Sequence, residues 1–256
     1  MGPQEASNDD QLLVAVLSRF AALTDVVLHH PERWLGWGGT PAGSSTGRLA
    51  GVAGRLMADA PGGEHWAQRT PDERAEWWVT HISNLAGLLA ATPRLAGAAA
   101  DRLPLQAALG ASVAGVAVCA VALEHGVHDH REWVPLLGRV LFERALPQGL
   151  DLNPRELQAC LDDPANDGEA AAPADSADPA LHRASSTARH LARTMLSLRG
   201  LFDERPRGAR VFRAIGKLPG VGLVGGWLDE RGGVRKAAEA TVQALATPRQ
   251  VAKVQL

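Results

Sequence analysis

Read as a pattern of apolar and polar positions, the chain is a series of helical periodicities around one uninterrupted apolar run. That run is Leu105 to Leu123, LQAALGASVAGVAVCAVAL, 19 residues without a charge, opened by Arg102 and Pro104 and closed by Glu124. As a helix it rises about 1.5 Å per residue, roughly 28 Å in all, close to the hydrocarbon thickness of a bilayer. Its alanine and glycine content equally suits a helix packed tightly inside a protein. Ala107, Ala111 and Gly115 form a small-xxx-small stripe, and Leu105, Leu109, Val113, Val116 and Leu123 make a bulkier face. That division permits close helix contact in lipid or in a soluble core. Gln106, the absence of Phe, Ile and Trp, and an acidic flank at Glu124 and Asp129 count against a lone lipid-facing span. A buried helix and a hairpin dipping into a membrane both stay open.

The flanking patterns are helical too. From Asp10 to His30, Leu13, Val16, Leu17, Phe20, Leu23, Val27 and Leu28 recur at helical spacing, with Ser7, Asn8 and Asp9 as caps and Pro31 as the stop. Trp34 to Gly47 reads as a loop and Arg48 to Ala60 as a short helix ended by Pro61-Gly62-Gly63. Thr70-Pro71-Asp72-Glu73 is a capping box for a helix carrying Trp77, Trp78, His81, Ile82 and Leu85. Asp129-His130-Arg131-Glu132 and Asn153-Pro154-Arg155-Glu156 repeat that logic, and Pro135 should bend the first turns of its helix. Asp162 to Ser186 is acidic and rich in proline and alanine, and its first part reads as a linker. Helix resumes near Asp178-Pro179 and runs toward Phe202.

No run of alternating or β-branched residues suggests a strand. The expected fold is all-α, a multi-helix bundle around a central apolar helix at 104–125, with no sheet. Its expected parts are an N-terminal bundle (1–161), a linker (162–178) and C-terminal helices (179–256) that include a glycine-rich segment at 219–226.

Composition narrows the class. A formal net charge of -2 argues against a dedicated nucleic-acid binder, which needs a basic excess to neutralise phosphates. The two cysteines, Cys119 and Cys160, make neither a disulfide framework nor a zinc spacing, so a reducing interior is the default. The start, MGPQEASNDD, is polar and acidic, unlike the basic lead-in of a secretory signal peptide.

Three segments carry candidate chemistry. Gly220-Val221-Gly222-Leu223-Val224-Gly225 matches GxGxxG, but Pro219 precedes it and no strand leads into it, so the expectation is a close-packed bend and no cofactor. His125, His128 and His130 stand with Glu124 and Asp129 within seven residues, ordinary ligand types for zinc or iron. Gly126 should break the helix there, and the alternative is a solvated corner capped by Asp129. Arg183, Arg189, Arg193, Arg199, Arg205, Arg207, Arg210, Arg213 and Lys217 precede the apolar segment Leu218 to Leu228, which includes Trp227. Such a pairing suits an anionic membrane surface, and equally the solvated face of amphipathic helices. No catalytic constellation appears, so an enzymatic role is not favoured.

Leu103 to Val127, Trp133 to Leu146 and Ile215 to Thr241 resemble the EcsC-type helical family. Those proteins combine a small-residue apolar helical region after a proline with a glycine-rich C-terminal segment and a final amphipathic helix. The resemblance covers about a third of the chain, and Trp34 to Gly47, the tryptophan-bearing helix and the linker depart from it. It implies a bacterial protein, cytoplasmic or associated with the inner membrane, with no catalytic residues to carry over. The expected role is accessory or scaffolding at a membrane surface. The alternative is a soluble helical interaction domain with a protein partner or self-association, and a metal-dependent enzyme is the third reading.

Overall fold

Alanine and glycine leave a helix thin, and the whole bundle is arranged on that thinness. In the computed structural model, which describes residues 3–34, 59–91, 102–161, 184, 186–196 and 227–247, the apolar run lies within a helix from Arg102 to Glu124. In chain order the helices are α1 (Pro3–His29), α2 (Pro31–Trp34), α3 (Pro71–Ala91), α4 (Arg102–Glu124), α5 (His130–Phe142), α6 (Pro154–Leu161), α7 (186–196) and α8 (Trp227–Ala246). A 3-10 turn, Trp66–Gln68, precedes α3. Among the described residues there is no strand, and the helices pack against one another. The fold is all-α, as the periodicity requires.

α4 is the axis, touched by α1, α3, α5 and α8. Its buried surface is mostly alanine and valine, from Ala114 through Ala122, so neighbouring helices approach its backbone closely. The approach is close at Gly115, where a Cβ would lie 2.8 Å from two ring carbons of Phe20 of α1. One core joins Leu17 and Phe20 of α1, Trp78 and Ile82 of α3, Val118 and Val121 of α4, and Trp133 and Leu137 of α5. Leu191 and Met195 of α7 and Val234 and Ala238 of α8 enter that same core, so helices on both sides of 162–178 share it.

Two breaker residues set the connections. Gly126 ends α4 at φ +87°, where Val127 N–H bonds to Ala122 O at 2.9 Å and Gly126 N–H to Leu123 O at 3.0 Å. This pair of bonds satisfies the last carbonyls of the helix and turns the chain sharply into α5. Pro135, inside α5, has no N–H for the carbonyl of Arg131 four residues back. That carbonyl instead accepts from Gly149 N–H at 2.8 Å. The non-helical segment 143–153 is thereby strapped back along α5 and α1. Leu146 fills the space beside Gly138, Arg144 pairs with Asp10, and Leu150 N–H donates to Ser18 Oγ at 2.8 Å.

The boxes at Thr70 and Asn153 form in both directions. Glu73 N–H donates to Thr70 Oγ1 at 3.3 Å while Thr70 N–H donates to Glu73 at 2.8 Å. The Asn153 and Glu156 pair does the same at 2.9 and 3.0 Å. Asp129 caps α5 by accepting the N–H of Arg131 at 2.9 Å. Several boundaries differ from the sequence expectation, among them the central helix, which runs Arg102–Glu124 rather than 104–125. α1 starts at Pro3, so Ser7, Asn8 and Asp9 lie inside the helix, because proline fits a first helical turn. Pro31 does not only stop α1 but opens the one-turn α2, for the same reason. The loop expected at 34–47 and the short helix expected at 48–60 differ at their described ends, where Trp34 closes α2 and Asp59 and Ala60 belong to a turn rather than a helix. The rest of both, and the linker at 162–178, lie outside the described residues.

Helix propensity alone would make Gly115→Ala stabilising by about 1 kcal/mol, but the overpacking cost is roughly 1–3 kcal/mol. We expect a net loss in urea unfolding, and a Phe20→Leu/Gly115→Ala double variant that loses less than the two single losses added. Strict additivity would show that the contact is not tight. At Glu143, the described non-glycine residue with positive φ (53°), Glu143→Gly should stabilise by ~0.5–1 kcal/mol in the same assay.

Candidate functional site

The chemistry-bearing side chains gather where α4 finishes and α3 and α5 begin. Because Gly126 ends α4 abruptly, the Glu124 carboxylate is held beside the first turns of the antiparallel α3. Trp78 Nε1–H donates to Glu124 Oε1 at 2.9 Å, and Arg74 Nε lies 3.1 Å from Oε2. The Glu124 side chain is only 9% exposed, so this is a shielded charge with a cation and an indole donor as partners. One residue on, His125 Nε2 stands 3.5 Å from Asp72 Oδ1.

Beside this pair the rings of Trp66, Trp77 and Trp78 meet edge to face, with centroids 5.3 to 6.4 Å apart. Such edge-to-face contacts contribute about 0.5–1.5 kcal/mol beyond area burial and tie the 3-10 turn to α3. His81 stacks on Trp77 at 3.8 Å, its Nδ1 2.8 Å from the Trp77 carbonyl oxygen. Burial disfavours the imidazolium and holds the pKa of His81 below its ordinary value. The ring is a packing element of the cluster.

At the start of α5 the Asp129 carboxylate is held by Arg131 through contacts of 2.7 to 3.0 Å, and those bonds lower its pKa. Trp133, fully buried, donates its indole N–H to Val127 O at 2.7 Å. Asp25 of α1 faces this corner. Burial raises its carboxyl pKa, opposed by His29, whose Nδ1 is 3.2 Å away, and by His130, while Asp129 adds to the rise. Cys119 of α4 is a free, fully buried thiol whose pKa burial pushes well up, a packing residue rather than a nucleophile.

The three imidazoles singled out by the sequence do not converge. His125 turns to Asp72, His128 is exposed, and His130 lies within electrostatic reach of Asp25 and Asp129. Among the described residues no group of three or more His, Cys, Asp or Glu side chains is placed to hold a metal ion. Arg199, Arg205, Arg207, Arg210, Arg213, Lys217, Gly220 and Gly222 lie outside the described residues, and Trp227 is the first residue of α8. Sequence reading missed the Glu124, Arg74 and Trp78 triad, whose members are separated by up to 50 positions in the chain. It also missed a small apolar cavity of about 30 Å³ where α1, α3, α4 and α7 meet, walled by Val27, Ile82, Val113 and Leu191. The two hydroxyls there are already committed, Ser112 to Ala108 O and Thr187 to Trp34 O, each at 2.7 Å.

Glu124→Ala removes the carboxylate acceptor of the buried Trp78 indole N–H, a loss of roughly 1–3 kcal/mol. In a double-mutant cycle, Trp78→Phe should cost less in the Glu124→Ala background than alone, and a coupling of zero would mean the bond contributes nothing. For Asp25 the raised pKa fixes the sign. The folded state holds its proton to higher pH than the unfolded chain, so stability present in acid is lost as pH rises through the folded pKa. Asp25→Asn should therefore raise stability at pH 7 and lose that gain in acid, below the ordinary carboxyl range. A pH-independent difference between the two proteins would show that ionisation is not its cause.

No family model, curated protein or solved structure matches the chain, so the meaning of this corner rests on its geometry.

Proposed function

We propose that this protein is a non-enzymatic helical interaction module whose apolar helices are its own core and whose polar surface meets a protein partner or a second copy. The observation that carries the reading is where the apolar run sits. From Ala108 to Ala122 every residue is buried by the bundle except Leu109, Gly110 and Val113, which are half-buried. Apolar surface already covered by protein leaves little to gain from lipid. α1 adds support of the same kind. Asn8–His29 is long and apolar enough to cross a membrane, yet 67% of its most apolar window is buried in the bundle. As a span it would carry Arg19 near the bilayer centre, at a cost of about 2.5–3.5 kcal/mol. The titratable groups at the helix ends are paired with one another, Glu124 with Arg74 and Asp129 with Arg131, which supports a structural rather than a catalytic use.

A second reading is attachment to the cytoplasmic face of a bacterial membrane in an accessory or scaffolding role. It draws on the length of α1, on the basic stretch before Leu218, and on the resemblance to the EcsC-type family. Lysis without detergent separates the two. The interaction module stays in the supernatant and runs as a discrete monomer or oligomer in size-exclusion light scattering. Retention in the membrane pellet through high salt and alkaline carbonate would overturn it and put an apolar helix in lipid. Release by salt alone would transfer the role to the basic stretch acting at the surface.

A further inference from the structure

No further inference is drawn: the strongest candidate, the small apolar cavity walled by Val27, Ile82, Val113 and Leu191 where α1, α3, α4 and α7 meet, has its hydroxyls committed to backbone carbonyls, and nothing in the structure shows what would occupy it.

Discussion

The packing of α1, α3, α5 and α8 around α4 depends on the missing side-chain volume of that helix. A helix covered with leucine would hold its neighbours at a distance, whereas one lined by alanine, with Gly115 at the crossing, lets α1 place Phe20 against its backbone. Close approach replaces the bulk that α4 lacks with bulk from its partners: Phe20, Trp78, Trp133 and Leu141 are the large residues, and they come from α1, α3 and α5. The core is therefore shared unequally. The axis contributes closeness, and the surrounding helices contribute the bulky side chains.

The helix ends show how local rules are converted into long-range contacts. Gly126 and Pro135 are both breakers, and each leaves a tertiary consequence. The first stops α4 so that Glu124 meets Trp78 and Arg74, and the second frees the Arg131 carbonyl for Gly149. In each case a backbone or charged group near the core is satisfied by a distant part of the chain. Leaving such a group unpaired costs more than a bond between exposed groups gains. The strap at 143–153 is fixed for the same reason, through Ser18, which donates to Val14 O and accepts from Leu150 N–H.

Electrostatics at this end of the bundle is mutual rather than directed outward. Glu124 and Asp129 each have a guanidinium beside them, and His81 is held by aromatic stacking and a carbonyl. Groups satisfied in this way hold helix ends in place. That inward use of charge, together with the burial of the apolar run, supports the proposed interaction module and leaves the exposed helical faces as the surface through which it would act.

The local grammar of the fold was legible in the sequence. Periodicity gave the helices, the boxes at Thr70 and Asn153 gave two starts, and Gly126 gave a stop, because each depends on residues within a few positions of one another. The His125 to His130 cluster shows where that grammar ends: nearness in sequence suggested common ligands, but a turn and a new helix send the rings to Asp72, to solvent and toward Asp25. Composition could not decide whether Leu105 to Leu123 faced lipid or protein, since both surroundings accept the same side chains. Only the packing of α1, α3, α5 and α8 placed that helix inside the bundle, because burial is a property of what surrounds a segment and not of the segment itself.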